Sequence, residues 1–588
     1  MMKQFLLYIL LLLYNAISST CYVIYKSSSN KQQKPTTLLL SSPIPSLERP
    51  ILQLARLSLK SLPLSVINVL GLLLRKLLKW NLQRDCQFNI KAASFNANID
   101  VIEYKDSSKL SSNDCIVYIC GGGFNLCDSA DLLLSERLLP LLNEKSSSHT
   151  PPVIYCIHYP TLQNTVDITN YEIVKQRIND SFISIMEKSN KNIIAIVGDS
   201  AGGNLVIQLL AQLKTCPPKT ILISPWLNLF SNANSYIKYQ CDDLLDKSWL
   251  DRSRDAYLGK TLSTFVDDQF KMYQADLYAD NIVRNTNIKV VVFDMDQTMV
   301  STHSRGSLPR VLANSFVDKT SLDFVHFARS LHSRGIKLAV ATHSDSKEYN
   351  FLKSPDNFIM GDELVKLVLE TAVPDIANAF YIIAYNPAIR NDGHLIDNQN
   401  KRLHIRLISQ HYNVKQEDCL LFDDDESNVV NNGGSFKAYQ VNWKTGFRLN
   451  DIESFLSSYN EVTYDNELLK RLPFKVGEIN PLLKTDEKLQ ELKLNDLMII
   501  YGEKELFYDD ISLFIHRYKK INKPIDVVIG SNEIHAFPIL WQHPILKVSL
   551  AFGLGPSLFE FFFPHRKNKP YSKQADEALH NISEFIYK

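Results

Sequence analysis

A serine at position 200 has the surroundings that a catalytic nucleophile needs. The stretch GDSAGG (residues 198–203) places one glycine two residues before Ser200 and another two residues after it. The apolar run NIIAIV precedes this stretch and NLVIQLLAQL follows it, which predicts a strand, a sharp turn and a helix. Glycines relieve the crowding of such a turn and leave the serine accessible. The pattern therefore predicts that Ser200 attacks an acyl group.

Three consecutive glycines lie upstream, in CGGGF (residues 120–124), at the end of another apolar run. The tetrahedral intermediate of acyl transfer carries an oxyanion, which requires converging backbone N–H groups. Side chains on such a loop would block that approach. We expect Gly121, Gly122 and Ala201, the residue after the serine, to supply the oxyanion donors.

The base and the acid that orients it are expected downstream, with the acid first. SNEIHAFPIL (residues 531–540) contains His535, which would accept the proton of Ser200. YGEKELFYDD (residues 501–510) follows an apolar run and offers four acids, namely Glu503, Glu505, Asp509 and Asp510. One of these carboxylates would hold the imidazole and stabilise its charged form.

These motifs, together with SPWL, YLG and HAFP, resemble the hormone-sensitive-lipase-like branch of α/β-hydrolases, and in particular the membrane-anchored fungal steryl acetyl hydrolases. The likeness covers residues 85–260 and 475–588. It implies hydrolysis of lipid or steryl-acetate-type esters without a cofactor, and it favours Glu505 as the acid. The family usually has histidine where this chain has Cys120, and more often Asp than Glu as the acid. We expect reduced or altered activity rather than none.

A second set of acidic motifs lies between the serine and its acid. FDMDQT, at the end of an apolar run, resembles the DxDxT signature of haloacid-dehalogenase-like phosphatases. The resemblance implies that Asp294 attacks phosphorus and that Asp296 protonates the leaving group and then activates water. It also implies phosphate binding by Thr342 and Lys401, although Arg402 is adjacent to that lysine. The implied ligands of Mg²⁺, an ion that prefers oxygen, are Asp294, Asp296 through its backbone carbonyl, Asp423 and Asp424.

Alternating strand-like and helix-like segments must position both sets of residues. We predict an α/β protein in which an α/β-hydrolase fold is interrupted by a second α/β domain of HAD-like, Rossmannoid type. The hydrolase domain is predicted to comprise residues 85–261 plus 473–588, and the insert residues 262–472. A degenerate regulatory module is the alternative for the insert.

The N-terminal segment FLLYILLLLYNAISSTCYVIY (residues 5–25) is long enough to span a bilayer as a helix. We predict a signal anchor in residues 1–26, with a cleaved signal peptide or a buried helix as alternatives. Residues 27–84 are predicted to form a linker and a membrane-proximal helix. That helix, in residues 61–80, would lie on the membrane surface or pack on the catalytic domain. We expect a single-pass membrane protein of the endoplasmic reticulum, or a secreted protein if the signal is cleaved.

The formal net charge is +1, from 64 Lys and Arg against 63 Asp and Glu, so no basic field favours nucleic acid. The expected partners are a small-molecule or lipid ester, a phosphorylated substrate of unidentified kind, and a membrane. The leading hypothesis is a membrane-tethered carboxylic-ester hydrolase with an inserted Mg²⁺-dependent phosphatase domain. The alternatives are a phosphatase that uses the hydrolase fold as a scaffold, and a non-catalytic membrane interaction protein.

Overall fold

The computed structural model describes the greater part of the chain. The described residues are 75–76, 79–80, 82–83, 88–104, 112–124, 130–145, 151–159, 170–213, 217–231, 233–240, 243, 245–343, 357–384, 401–430, 433–456, 466–472, 474–492, 494, 496–521, 523–531 and 573–587. The expected signal anchor at residues 5–25 and the expected base His535 lie outside them. No helix among the described residues has the length and apolarity that crossing a membrane requires.

Strands and helices alternate through most of this part of the chain. The strands are β1 (Phe88–Ala93), β2 (Asn96–Tyr104), β3 (Asp114–Ile119), β4 (Val153–Ile157), β5 (Asn192–Asp199), β6 (Lys219–Ile223), β7 (Val290–Phe293), β8 (Ser307–Pro309), β9 (Lys337–Ala341), β10 (Phe358–Met360), β11 (Phe380–Ile383), β12 (Cys419–Asp423), β13 (Lys437–Gln440), β14 (Asp496–Gly502) and β15 (Ile525–Gly530). The helices are α1 (Ala130–Lys145), α2 (Asn170–Lys188), α3 (Ala201–Leu210), α4 (Asn234–Lys238), α5 (Lys247–Leu258), α6 (Lys260–Asn285), α7 (Ala313–Val317), α8 (Leu322–Ser333), α9 (Gly361–Ala372), α10 (Arg402–Tyr412), α11 (Glu426–Val430), α12 (Leu449–Leu456), α13 (Asn466–Lys470), α14 (Phe474–Ile479), α15 (Asp486–Glu491), α16 (Tyr508–Lys520) and α17 (Lys573–Tyr587).

The first sheet has eight strands in the order β1-β2-β4-β3-β5-β6-β14-β15. β2 runs antiparallel to β1 and β4, and the remaining neighbours are parallel. The central strands are continuous apolar runs because helices cover parallel sheets on both faces. The carboxyl ends of β5, β6 and β14 therefore meet at one edge, where Ser200 and Glu505 follow their strands.

The second sheet has five parallel strands in the order β11-β9-β7-β12-β13, and all of them lie in the chain between β6 and β14. From β7 the chain winds outward to β9 and β11, then crosses to β12 and β13. This order places a topological switch point between β7 and β12, and ligands of open α/β sheets bind at such points. The acidic motifs after β7 and after β12 therefore flank the crevice at the switch point.

The long helix α6 leads from the first sheet to the second. It packs against α5, α8 and α12, and residues such as Phe270 and Leu277 are buried on it. The expected boundary between residues 261 and 262 lies in the first turn of this helix. The apolar residues on both sides of α6 join in one continuous core.

Candidate active sites

Ser200 occupies a strained turn between β5 and α3. Its backbone angles are φ 49° and ψ −120°, a conformation that L-residues adopt rarely and usually at functional sites. A Cβ on Gly198 would lie 2.7 Å from Cγ2 of Val206, and one on Gly202 would lie 2.6 Å from the carbonyl oxygen of Cys120. The tightness of the turn therefore accounts for both glycines.

Backbone hydrogen bonds fix this turn against β6. The N–H of Ser200 donates to the carbonyl of Ile223 at 2.9 Å, and its own carbonyl accepts from Trp226 N–H at 2.9 Å and Gly203 N–H at 3.1 Å. The position of the hydroxyl is thus set by the sheet and by the residues that follow β6.

The glycine loop approaches the serine turn through Asp199. The N–H of Gly121 donates to Oδ1 of Asp199 at 2.8 Å, and Gly122 has a φ of 90° in the left-handed region. Gly121 is one of the three expected oxyanion donors, and its N–H is already bonded to Asp199. The role of Gly121, Gly122 and Ala201 as oxyanion donors stays a prediction.

Two tyrosines that sequence reasoning missed order the loop. The Tyr159 hydroxyl lies 2.6 Å from the carbonyl oxygen of Gly121 and 2.9 Å from that of Cys120. The Tyr118 hydroxyl donates to Oδ1 of Asp199 at 2.5 Å. Tyr159 is two residues beyond Ile157, the last residue of β4, which pairs with β3. This position at the end of a strand was the signal in the sequence that could have identified it. The loop is therefore held through its carbonyl groups, without a histidine at position 120.

The aromatic residue of the loop is part of the core. The ring of Phe124 stacks on Tyr257 with centroids 3.9 Å apart, and it lies 5.5 Å from the ring of Trp226. A Cβ on Gly123 would lie 2.6 Å from the Trp249 ring, so α5 closes over this side of the loop.

Glu505 is fully buried beside the end of β6. Its Oε2 accepts a hydrogen bond from the Ser224 hydroxyl at 2.6 Å and from Gly502 N–H at 3.3 Å. Ser224 has a φ of 44°, and its N–H donates to the carbonyl of Ile500 in β14 at 2.7 Å. Burial raises the pKa of Glu505 well above its ordinary value. Ser224, which follows β6 in the SPWL motif, is a second residue that sequence reasoning left without a role.

The competing acids point elsewhere. Glu503 is exposed, Asp509 accepts from the N–H of Ser235 at 2.7 Å, and Asp510 accepts from the Ser231 hydroxyl at 3.0 Å. Among the four acids, Glu505 alone bonds to the residue that follows β6. The meeting of Glu505 with His535 stays a prediction, because that histidine lies outside the described residues.

The second sheet carries a separate cavity of about 390 Å³ at its switch point. All six residues expected there line this cavity: Asp294, Asp296, Thr342, Lys401, Asp423 and Asp424. The other lining residues are His303, Arg305, Gly306, His343, Asp425 and Asn428. The fold thus brings the six expected residues together from four separated stretches of the sequence.

Lys401, which the sequence alone did not distinguish clearly from the adjacent Arg402, is a buried residue of the cavity lining. Its Nζ donates to Oδ1 of Asp294 at 2.6 Å and lies 3.8 Å from Oδ2 of Asp423. Burial alone would lower the pKa of this lysine, but the neighbouring carboxylates outweigh burial and raise it. The guanidinium of Arg402 instead lies against Gly433.

Asp296 has partners that sequence reasoning missed. Its Oδ2 lies 2.8 Å from Nδ1 of His303 and accepts from the Ser304 hydroxyl at 2.7 Å. The hydrogen bond to Asp296 raises the pKa of His303. Both partners lie in the loop before β8, in a stretch with no distinctive spacing.

The donor set at this cavity suits Mg²⁺. Burial raises the pKa of Asp294 to about 6, of Asp423 to about 7 and of Asp424 to about 6, and a cation beside these groups would favour their charged forms. Oδ2 of Asp423 is buried without a hydrogen-bond partner. Among the described residues, no three of these carboxyl groups have oxygen atoms that all lie within 4.8 Å of one another. Mg²⁺ needs only one or two carboxylates because it keeps several waters.

A family model matches part of the chain. Residues 92–295, about a third of the 588-residue chain, match the family model described as "Steryl acetyl hydrolase". This match supports the coarser expectation, an esterase-type α/β-hydrolase over that part of the chain. The comparison with curated proteins gave no significant match.

Several solved structures show a distant likeness. A bacterial hormone-sensitive-lipase-family esterase is 11% identical, with 93% of this chain and 92% of that chain covered and a TM-score of 0.35. Carboxyl esterase 2 from the fungus Tuber melanosporum is 11% identical, with coverages of 85% and 86% and a TM-score of 0.34. The Francisella virulence factor BioJ is 12% identical, with coverages of 92% and 98% and a TM-score of 0.39.

Proposed function

We propose that the chain is a carboxylic-ester hydrolase in which Ser200 is the nucleophile. The observation that carries this proposal is the strained turn at Ser200, whose neighbour Asp199 binds the first glycine of the loop. A serine held in this way presents its hydroxyl beside bare backbone amides, the arrangement that acyl transfer requires. The family match over residues 92–295 supports the same chemistry.

The proposed reaction has two halves. The Ser200 oxygen attacks the ester carbonyl while His535 takes the hydroxyl proton, and the N–H groups of Gly122 and Ala201 face the oxyanion. The tetrahedral species expels the alcohol, which receives the proton from His535, and leaves an acyl group on Ser200. Water, deprotonated by His535, then attacks that acyl group and restores the serine.

Glu505 is proposed to orient His535. Burial favours the neutral form of this carboxyl group, whereas an imidazolium beside it would favour the carboxylate. β15 is the parallel neighbour of β14 and ends at Gly530, five positions before His535. The histidine thus follows the strand next to that of Glu505, which supports the Ser200–His535–Glu505 triad.

The substrate class is proposed from the family description. Lipid or steryl-acetate-type esters would suit a protein tethered to a membrane by residues 1–26, in the endoplasmic reticulum or after secretion. Cleavage of p-nitrophenyl acetate by the full-length chain tests the ester step directly. We expect Ser200→Ala to abolish it and Asp294→Asn to leave it unchanged. Absence of cleavage by the wild type would overturn the proposal.

We also propose a second activity, Mg²⁺-dependent phosphatase chemistry in an inserted domain of residues 262–472. The observation that favours it is the hydrogen bond from Lys401 Nζ to Oδ1 of Asp294 inside the cavity at the switch point. Mg²⁺, held by Asp294, Asp423, Asp424 and the backbone of Asp296, would neutralise phosphate charge.

The residues of this cavity have distinct proposed roles. Asp294 attacks phosphorus and becomes an aspartyl-phosphate, while Asp296 protonates the leaving oxygen. Lys401 and Thr342 bind the phosphate oxygens. Asp296 then takes a proton from the water that hydrolyses the aspartyl-phosphate, and His303 and Ser304 hold its carboxylate in place.

Cleavage of p-nitrophenyl phosphate, with and without Mg²⁺, separates this activity from the first. Asp294→Asn should abolish phosphate release and Ser200→Ala should preserve it. If the wild type releases no phosphate with Mg²⁺ present, the insert is a regulatory module instead. If only phosphate is released, the hydrolase fold serves as a scaffold, and if neither product forms, the chain is an interaction protein.

A further inference from the structure

We propose that Cys120, Cys156 and His158 bind one Zn²⁺ ion at the base of the glycine loop. The Sγ atoms of Cys120 and Cys156 lie 3.2 Å apart, and Nδ1 of His158 lies 4.0 Å from Sγ of Cys120. All three ligand atoms lie within 4.8 Å of one another, and no other His, Cys or acidic trio among the described residues does so.

The register of the sheet brings these side chains together. β3 and β4 are parallel, with Tyr118 opposite Cys156 and Ile119 opposite Ile157, so position 120 continues opposite position 158. Residues two apart on a strand share a face, which places Cys156 and His158 on the same face as Cys120. The site therefore arises from strand pairing and requires no loop rearrangement.

The distances are close to those of a zinc centre. Zn–S bonds of about 2.3 Å and Zn–N bonds of about 2.0 Å in a tetrahedron place two sulfurs about 3.8 Å apart, and sulfur and nitrogen about 3.5 Å apart. The observed 3.2 Å and 4.0 Å each differ from these values by about half an ångström, a shift that side-chain rotation can supply. Thiolate and imidazole ligands favour Zn²⁺ over Mg²⁺ or Ca²⁺.

The second ring nitrogen of His158, Nε2, has a carboxylate partner, as the second nitrogen of a metal-bound histidine often has. Nε2 of His158 lies 3.3 Å from Oδ2 of Asp100, and a carboxylate there fixes the tautomer in which Nδ1 carries the lone pair that a metal would bind. Arg75 donates to the same Asp100 oxygen at 2.9 Å, so both groups can share it as donors. The rival tautomer would make Nε2 accept from Arg75, at 3.0 Å, and would leave no lone pair toward the cysteines.

Burial fits a structural centre with one water-accessible side. Both cysteines are buried, and the His158 side chain is 20% exposed, so one water can complete a tetrahedron. Binding converts two thiols to thiolates and releases two protons, so affinity should rise with pH. Because Cys120 begins the glycine loop, the ion would fix the strand end from which Gly121 and Gly122 project. The proposal does not depend on ester hydrolysis.

Cobalt substitution tests this site. The full-length chain, purified without a histidine tag and kept reduced by a phosphine, is freed of metal and titrated with Co²⁺. We expect a thiolate-to-cobalt absorption band that saturates at one ion per chain and disappears when Zn²⁺ is added. Cys120→Ser, Cys156→Ser and His158→Ala should each weaken binding at least tenfold. Cys115→Ser, a matched change at a buried cysteine within β3, should leave binding unchanged.

A measurement on the wild type keeps the test independent of variant folding. X-ray absorption of the zinc-loaded chain should show two sulfurs in the ligand shell. A shell of nitrogen and oxygen only, a cobalt band that survives Cys156→Ser, or the absence of any band in the reduced wild type would each overturn the proposal. So would recovery of Cys120 and Cys156 as a disulfide that, once reduced, still fails to bind Co²⁺.

Discussion

The hydroxyl of Ser224 donates to Oε2 of Glu505 at 2.6 Å, which links the residue after β6 to the acid after β14. The two strands are parallel neighbours, so this bond crosses the same sheet edge that positions Ser200. Ser224 is therefore placed to orient the carboxylate that we propose to hold His535.

Ser224→Ala should lower kcat for ester cleavage about 10- to 100-fold, with a smaller change in KM. A buried carboxylate that loses a hydrogen bond forfeits about 1–3 kcal/mol, and part of that loss falls on the orientation of the histidine. Steady-state kinetics over a pH series provide the measurement, since a positioning role predicts a shifted acidic limb as well as a lower rate.

Ser231→Ala is the matched control for that change. Ser231 makes the same kind of buried bond, to Asp510 at 3.0 Å, away from the serine turn. The Ser231→Ala variant should lose about as much stability as Ser224→Ala, and its kcat should equal that of the wild type. Equal loss of kcat in both variants would show that Ser224 acts through folding alone.

Tyr159→Phe should also reduce kcat about tenfold or more. Its hydroxyl bonds to the carbonyl groups of Cys120 and Gly121, and loss of these bonds frees the loop that presents the oxyanion donors. Tyr155→Phe, a change of the same type within β4, serves as the control because the ring of Tyr155 packs against Phe95, with centroids 6.0 Å apart. The measurement is kcat for p-nitrophenyl acetate cleavage by each variant. Equal kcat values for the wild type and Tyr159→Phe would contradict this role of Tyr159.

Much of the arrangement follows from local patterns. Continuous apolar runs before GDSAGG and FDMDQT predicted the strands that became β5 and β7, because parallel strands are buried on both faces. Six residues of the switch-point cavity were expected from the resemblance of their motifs to haloacid-dehalogenase-like phosphatases. The second sheet was visible in the sequence as a restart of the strand pattern between Ser200 and Glu505.

What the sequence did not reveal depends on pairing between distant strands. Asp199 lies in the recognised motif, yet only the register of β3 and β5 shows that it holds the N–H of Gly121. His303 reaches Asp296 through a loop without a periodic pattern, and Ser224 reaches Glu505 at the end of the adjacent strand. Such contacts are set by tertiary geometry, which single-sequence patterns do not encode.

Lys401→Met should abolish phosphatase activity and leave ester cleavage unchanged. Removing this cation leaves the buried carboxyl groups of Asp294 and Asp423 without their partner, and such a loss costs about 3–5 kcal/mol. We expect a lower melting temperature in EDTA and a partial recovery with Mg²⁺. Arg402→Met is the matched control, because that guanidinium lies against Gly433. Full phosphatase activity in Lys401→Met would exclude the proposed role.

Asp510 should make the protein less stable as the pH rises. Burial, together with the smaller effect of the charges of Asp509 and Glu453, raises the pKa of its carboxyl group to about 8, from an ordinary value of about 4. Below about pH 4 the group is protonated in both states and has no effect on stability. Between about pH 4 and pH 8 the unfolded chain releases the proton that the folded chain keeps, so stability falls across that window.

Asp510→Asn removes this dependence because the amide resembles the neutral acid. The difference between the pKa of Asp510 in the folded chain and in the unfolded chain corresponds to more than about 5 kcal/mol, at about 1.4 kcal/mol per pKa unit. Because the folded chain can relax around the charged group, we expect Asp510→Asn to raise the free energy of unfolding at pH 8 by only about 1–3 kcal/mol. Melting temperatures at pH 5 and pH 8 measure the effect. Asp526→Asn, at an exposed position of β15, should change neither value. If Asp510→Asn melts lower than the wild type at pH 8 by as much as at pH 5, the buried carboxyl is not the source of the pH dependence.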